Sequence, residues 1–488
     1  MKFLNSAKWV LLGSGGQQGL GFLVFLLLSY LLVPEDFGVY ALCLVFIEIC
    51  NQLSRLGLSI ELISSNEEKE GKYLNAFWLT LSAGVLLSAS IATSAEFWQD
   101  LLGFGGLAEC LVVAAIIPII YSLNCIPDAI YQREFRHKNL AVAKLSANTL
   151  SGVIALSAAY FLDMGFFALV LQRIVTEAFT LLFFWLNIEW RPRLKFYPSL
   201  ALSQLKNGLP FLGSGFVTLA SYKSKDVFIG VFFGPIILGY FRLALKIQDM
   251  LNKLIFSPVS VVLLPYLAQT NRSDFNDVLA RILFTTVLIV TPMYAGMAAV
   301  AHDFISVVFS DEWQPASELL IILCLFGIFS QVFFMFKPIL GALGQGYELI
   351  KIVMLYCLTL NALMIAFAQN DIEIVLWVDI FAVIIASLYG LLKVKKVAGL
   401  SLVQLGMDIM PSIIATMQMS VIIFVSNTYI FIPLEVNSVI SIILKIILGI
   451  VSYVLVFRLI FKNQLTSKLQ PLLSGKVKKI FERVLFLN

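Results

Sequence analysis

Histidine is nearly missing from this 488-residue chain, which carries only His137 and His302. Two histidines so far apart make a histidine-built metal centre improbable and remove the usual base of a Ser/His/Asp set. Charge is scarce as well. Charged residues make up 13% of the chain, about half their share of a typical soluble domain. The six cysteines (Cys43, Cys50, Cys110, Cys125, Cys324 and Cys357) all fall in apolar segments and form no CxxC or Cys/His cluster. They read as small buried hydrophobes. No HExxH occurs. The run Gly13-Ser14-Gly15-Gly16-Gln17-Gln18-Gly19 has the glycines of a phosphate cradle but lacks its strand-turn-helix setting and its lysine. Gly15-x-x-x-Gly19 is instead expected to be a close helix contact. No metal, no cofactor, no nucleic-acid partner and no enzymatic chemistry is expected.

What the chain has is length in apolar runs. Apolar residues form 60% of it and the mean hydropathy is +0.92, the composition of a polytopic membrane protein. The spacing predicts an all-α fold of 14 transmembrane helices, over 9–33, 37–60, 74–95, 106–130, 140–162, 166–187, 208–232, 238–265, 278–300, 316–337, 349–369, 371–392, 402–426 and 438–461. The connecting loops sort by charge. One set holds Lys69/Lys72, Arg133/Arg136/Lys138, Arg191/Arg193/Lys195, Arg272, Lys351 and Lys393/Lys395/Lys396. The alternate set holds Glu35/Asp36, Glu96/Asp100, Asp163, Asp303/Asp311/Glu312, Asp371/Glu373 and Glu435, without a cation. By the positive-inside rule both termini are cytoplasmic, which needs an even number of spans. Lys2 and Lys8 precede a long apolar run with no cleavage site close behind, so the first helix is expected to be retained. Asn271-Arg272-Ser273 spells a glycosylation sequon but falls on the cytoplasmic side.

The chain repeats itself. Leu12-Gly13-Ser14-Gly15 recurs as Leu212-Gly213-Ser214-Gly215, and Pro34-x-x-Phe37-Gly38 as Pro235-x-x-Leu238-Gly239. At the second offset Glu48 falls on Asp249 and Asn51 on Asn252. Trp98 in an acidic loop answers Trp313, and Pro127 answers Pro338. Two six-helix lobes are expected, 1–200 and 201–400, followed by two additional helices over 401–462. Parallel repeats of this kind hold substrate between the halves near the midplane. The tail 463–488 alternates basic and apolar residues, as a helix lying on the anionic cytoplasmic leaflet would.

Residues 208–266 carry the conspicuous charges. Two spans folded back at Gly234-Pro235 contain Lys223, Lys225, Asp226, Arg242, Lys246, Asp249 and Lys253. Each central charge costs roughly 2.5–3.5 kcal/mol against lipid, so they are expected to line a wet or protein-walled cavity. Arg242, Lys246, Asp249 and Lys253 are spaced for one helix face. Five cations against two carboxylates leave +3, and an unneutralised cationic cavity calls for an anionic substrate. Lys223 and Asp226, three apart, are also spaced to pair.

The first half is balanced. Glu48, Asn51, Gln52 and Arg55 form a polar stripe on the second helix, and Arg173 with Glu177 is an i,i+4 pair on the sixth. These are either internal ion pairs or, at Glu48, Glu177, Asp226 or Asp249, carboxylates that take up a proton or sodium ion. Asp379 is a further candidate for that coupling. Gln17 and Gln18 offer hydrogen bonds to sugar hydroxyls or to neighbouring helices.

Several of these segments resemble a known family. They are Gln17-Gln18, the turn Leu31-Leu32-Val33-Pro34-Glu35-Asp36-Phe37-Gly38-Val39-Tyr40, Pro127-Asp128-Ala129-Ile130-Tyr131-Gln132-Arg133, Asp226-x-x-Ile229-Gly230, Leu238-Gly239-Tyr240, Val262-x-x-Leu-Pro265 and Gly341-Ala342-Leu343-Gly344-Gln345. They are similar to the polysaccharide (O-antigen and exopolysaccharide) flippases of the multidrug/oligosaccharidyl-lipid/polysaccharide exporter superfamily, in the branch of the colanic-acid exporter. The resemblance implies a bacterial inner-membrane protein that moves undecaprenyl-diphosphate-linked oligosaccharide repeat units between leaflets by alternating access. Membrane lipids, a polysaccharide polymerase and glycosyltransferases are the implied partners. The expected anion contacts are Lys223, Arg242 and Lys246, with Lys225, Lys253, Arg55 and Arg173 as further substrate-binding candidates. A cation-coupled drug exporter of the same fold, a peptidoglycan-precursor flippase and a non-transporting scaffold are the alternatives.

Overall fold

The computed structural model describes residues 2–64, 70–269, 275–399 and 401–461, which are helical almost throughout, with no strand among them. The basic tail, Lys69, Arg272 and the sequon lie outside the described residues. The chain forms two compact units, residues 1–242 and 243–488.

The first unit contains α1 (Lys2–Ser29), α2 (Pro34–Ser54), α3 (Leu58–Ser64), α4 (Glu70–Leu102), α5 (Leu107–Ala114), α6 (Ile116–Arg133), α7 (His137–Leu162), α8 (Phe166–Asn187) and the beginning of α9 (Pro198–Gln269). Pro34 opens α2, where its missing N–H costs nothing. The Asp36 carboxylate accepts from Val33 N–H at 3.3 Å and from Phe166 N–H at 3.0 Å, capping α2 and tying it to the start of α8. The expected helix over 37–60 breaks after Ser54, because Leu56 and Gly57 adopt φ of 50° and 71°. The expected helix over 106–130 divides at Ala115, where Pro118 has no N–H to offer the preceding turn. α1 lies along α7. The glycine that touches α7 is Gly16, which meets Leu145, whereas positions 15 and 19 face open space. The expected Gly15/Gly19 contact is therefore absent: the face of α1 turned to α7 is one residue on.

α9 bends at Gly234, whose φ of 82° and ψ of 177° suit only glycine. Asp226 and Arg242, eight residues either side, meet at 3.2 Å. Along a straight helix they would be about 24 Å apart, so the chain reverses here, as Gly234-Pro235 predicts. The repeated Pro-x-x-(Phe/Leu)-Gly motifs also meet. A Cβ at Gly38 would strike the Pro235 carbonyl, and one at Gly239 would strike the Pro34 carbonyl. Reciprocal contact of this kind is what a local two-fold between equivalent segments produces.

The second unit contains α10 (Phe275–Val308), a 3₁₀ turn (Asp311–Trp313), α11 (Ala316–Ala342), α12 (Gly346–Ala366), α13 (Ile372–Ala398), α14 (Leu402–Ser426) and α15 (Ser438–Leu459). α10 is flanked by α11, α14 and α15. Phe284, Ala415 and Phe457 are buried together, and Tyr453 donates to the Leu288 carbonyl at 2.8 Å. Trp313 is fully buried, and Pro127 and Pro338 both sit inside the last turns of their helices.

The protein is an all-α, multi-pass membrane protein. Twelve helices among the described residues are long and apolar enough to cross a membrane by length and composition. α9 counts once among them, over Tyr222–Lys253, and α1 adds only the shorter apolar stretch Gly15–Ser29.

Candidate functional site

A polar cavity of about 270 Å³ lies within the first unit. At about 30 Å³ per water that is room for roughly nine. Its charged lining comes from α2 (Arg55), α6 (Asp128), α7 (Lys144) and α8 (Arg173, Glu177), with Gln17 of α1 beside them. Three cations against two carboxylates leave +1. The arginines are fixed but not saturated. Arg55 stacks on the Tyr121 ring at 4.5 Å, and Arg173 binds Glu177 at 3.1 Å, the predicted i,i+4 pair. Yet the Nε of each arginine, and Oδ1 of Asn124, are buried without a hydrogen-bond partner. Two buried guanidinium donors without a partner are costly unless something accepts from them. The arrangement suits an oxyanion, which can accept from a guanidinium fork.

Of the expected residues, the cavity gathers Gln17, Arg55, Arg173 and Glu177, while Gln18 is half-buried outside the lining. Sequence reasoning missed Lys144, Asp128, Tyr121, Asn124 and Asn148. The signal for Lys144 was available: it is the single charged residue of the expected span 140–162, about one turn in. Asp128 stood in plain view in the Pro127-Asp128 motif.

The heavily charged stretch behaves differently from expectation. Lys223 Nζ lies 2.9 Å from Glu48 and 3.5 Å from Asp226, and Arg242 lies 3.2 Å from Asp226. Two cations and two carboxylates sum to zero. The predicted Lys223–Asp226 pair is present, and Lys223 and Arg242 are neutralised within this cluster. The reason is α2: its Glu48, assigned on sequence to the balanced half, faces Lys223. Lys225 is half-buried on the same arm of α9. The stripe also divides at the unit boundary, since Arg242 ends the first unit while Lys246, Asp249 and Lys253 belong to the second. There Lys246 and Asp249 are half-buried and Lys253 is exposed.

Several charges of the second unit have bonded partners. Asp303 accepts from Lys445 and Ser441, each at 2.7 Å, and Lys445 is almost wholly buried. Glu348 lies 2.9 Å from Lys351 and 3.3 Å from Lys393. Asp379, fully buried, accepts from Tyr356 at 2.7 Å.

A family model described as polysaccharide biosynthesis protein matches residues 27–318, more than half of the chain. The protein belongs to this family. Its relatives include the succinoglycan biosynthesis transport protein ExoT of Rhizobium meliloti (strain 1021), 26% identical over 70% of this chain and 69% of that one. The lipopolysaccharide biosynthesis protein WzxC of Escherichia coli (strain K12) is 20% identical over 68% of each. Among solved structures, the lipid II flippase MurJ in an inward closed conformation superposes with a TM-score of 0.71 at 18% identity, covering 93% of this chain and 98% of that one. That likeness establishes the fold. The chain is thus a multi-pass membrane member of the polysaccharide biosynthesis family.

Proposed function

We propose that the protein moves undecaprenyl-diphosphate-linked oligosaccharide repeat units from the cytoplasmic to the periplasmic leaflet of the bacterial inner membrane, for O-antigen, capsule or exopolysaccharide assembly. The observation that carries this reading is the cavity of the first unit, where Arg55 and Arg173 hold unpartnered donors beside Lys144. A lipid-linked diphosphate is an oxyanion that has to pass through a low-dielectric layer. Charge-assisted hydrogen bonds from fixed guanidinium groups offset its desolvation there. Gln17, Asn124, Asn148 and Thr176 supply neutral donors and acceptors for sugar hydroxyls beside the same cations. The lipid tail stays in the bilayer. Substrate contact thus moves from Lys223 and Arg242, which are engaged with carboxylates, to Arg55, Arg173 and Lys144. Lys246, Lys225 and Lys253 remain secondary candidates.

The loop-charge pattern and the internal repeat support a topology of fourteen spans, counting α1 and both arms of α9, with both termini cytoplasmic and two six-helix lobes over 1–200 and 201–400. A polymerase and glycosyltransferases act beside it. Glu177 in the cavity and Glu48 and Asp226 beside Lys223 are the coupling carboxylates for a proton or sodium ion.

The test is export of the cognate polysaccharide in cells whose own copy is deleted. Arg55→Gln and Arg173→Gln are expected to reduce export roughly tenfold or more each, since one charge-assisted hydrogen bond contributes about 1.5–3 kcal/mol, with membrane insertion unchanged. Normal export in the double variant removes the cavity from the mechanism.

A further inference from the structure

Five contacts join α2 and the turn that follows it to α9, in order along their length. Pro34 meets Gly239, Gly38 meets Pro235, Glu48 binds Lys223, Gln52 lies on Gly215, and Gly57 meets Gly208. As one number rises the other falls, so the two helices run antiparallel as a continuous seam. Four of the five contacts put backbone or a side chain directly onto a glycine. Such contacts allow close approach but supply dispersion alone, spread thinly over many atoms. The remaining contact is charged, and it sits deep. Glu48 is about 21 Å along α2 from Pro34, and Lys223 is about 16 Å along α9 from Gly234.

The charged rung is built to exchange partners. Lys223 Nζ is shared between Glu48 at 2.9 Å and Asp226 at 3.5 Å, while Asp226 also holds Arg242. Lys223 can therefore leave Glu48 without becoming a bare buried charge, because Asp226 stays beside it. A lysine has the flexible stem and rotatable donors for such a swap, whereas Arg242 is held by both oxygens of Asp226 at 3.2 and 3.3 Å. Glu48, Gln52 and Arg55 occupy one stripe of α2 at i, i+4 and i+7. The first two face the seam, and Arg55 lines the polar cavity. An anion bound at Arg55 is thus two helical turns, about 10 Å, from the latch.

We propose that the α2–α9 seam is a gate in the translocation path, and that a phosphorylated headgroup opens it by taking Lys223 from Glu48. A phosphate oxygen replaces a carboxylate oxygen on the same ammonium, so Lys223 keeps its charge-assisted hydrogen bond while the seam loses its rung. The Glu48–Lys223 rung keeps the empty gate shut, and with two cations and two carboxylates the closed cluster is neutral. Lys223 thus has a role distinct from the cavity arginines, opening the path instead of holding the cargo. The latch stands on the geometry of the seam, and the identity of the ligand that opens it rests on the function proposed above.

Cysteine accessibility separates the two. Gln52→Cys places a thiol inside the seam, and its reaction with a water-soluble maleimide, located by peptide mass, reads the opening in the purified full-length protein in nanodiscs. With the latch intact, labelling is slow. Adding Glu48→Gln is expected to speed it roughly tenfold, the factor for one lost charge-assisted hydrogen bond. The exchanged pair Glu48→Lys/Lys223→Glu, which restores the rung with reversed sign, is expected to return the rate to within about twofold, a difference worth less than 1 kcal/mol. Pyrophosphate is expected to speed labelling in the Gln52→Cys protein and to have no effect once Lys223→Gln is added. A Glu48→Gln rate equal to the parent's, or an exchanged pair as fast as Glu48→Gln alone, overturns the latch. Pyrophosphate that binds without speeding labelling overturns ligand opening and leaves the cavity reading intact. Pyrophosphate that fails to bind at all sinks the cavity reading, while the exchanged pair still decides the latch.

Discussion

The paired charges of the second unit and the arginines around the first unit's cavity are handled in opposite ways. In the second unit, Lys445 is almost sealed from solvent and satisfied by Asp303, Asp379 accepts from Tyr356, and Glu348 is shared by two lysines. The space between α10, α11, α13 and α14 is lined by apolar side chains alone, among them Leu279, Leu283 and Phe336. In the first unit, two arginines are braced by Tyr121 and Glu177, line a polar cavity and each keep a buried Nε without a hydrogen-bond partner. Charge that is closed on itself stabilises a particular packing, whereas charge left partly open is available to a ligand. The difference separates residues whose loss unfolds the protein from residues whose loss leaves it folded and idle.

Lys445→Met should break that comparison most visibly if it is wrong. Removing one partner of a buried pair typically costs about 3–5 kcal/mol, because the other charge is stranded. Thermal unfolding of the purified protein should fall steeply, and the double variant Asp303→Asn/Lys445→Met should recover most of the loss. Pyrophosphate affinity, measured on folded protein at low temperature, should not change. A stable Lys445→Met protein that no longer binds would put function in the second unit's pair.

The converse experiment is Arg55→Gln with Arg173→Gln. Here pyrophosphate affinity should fall by roughly 100-fold or more, taking about 1.5–3 kcal/mol for each charge-assisted bond. Thermal stability should fall less than for Lys445→Met, because Arg173 is a third exposed whereas Lys445 is sealed, and Glu177 lines the polar cavity. A large loss of stability with unchanged affinity would make these arginines structural, like Lys445.

A smaller effect sharpens the relation between the repeated segments. Gly38→Ala and Gly239→Ala each drive a methyl into a proline carbonyl, and overpacking of that kind costs about 1–3 kcal/mol. Because the contact is reciprocal, the two variants should lose similar stability by thermal unfolding. A large loss from one and none from the other would show that the motifs repeat in sequence without being equivalent in packing.

Much of this was legible in the chain because the determinants are local. Apolar run length located the helices, and the ends of two, 166–187 and 402–426, coincide with α8 and α14. Pro34-x-x-Phe37-Gly38 and its copy at 235–239 announced a shared turn, though not that the two would touch. The site was only half readable. Arg173 and Glu177 pair through helix spacing, which sequence displays. Lys223 with Glu48 is a contact 175 residues apart along the chain, and no periodicity reports it. Summing charge along one stretch therefore missed that Lys223, Asp226 and Arg242 form a neutral cluster, because the balancing carboxylate, Glu48, arrives from another helix. Lys144 and Lys445 were overlooked for a related reason: one cation in a long apolar span looks like noise until its surroundings are known.

Asp379 offers the finest distinction. It is buried and accepts from Tyr356, and two explanations of that burial make different demands on its proton. If the carboxylate is a packing element, what matters is an acceptor oxygen in that position, and Asn supplies one of nearly the same shape. Asp379→Asn should then cost less than about 1 kcal/mol, the exchange of one hydrogen bond for another, and export should stay within about twofold. If instead the carboxyl takes up and releases a proton in the transport cycle, the amide cannot titrate. Stability would again be preserved, but gradient-driven export would collapse while passive exchange of lipid-linked glycan continued. Thermal unfolding alone cannot tell these apart, so the deciding measurement is transport with and without an imposed pH gradient. The company Asp379 keeps favours the first outcome, because every other buried charge described in its unit with a bonded partner is closed in the same way.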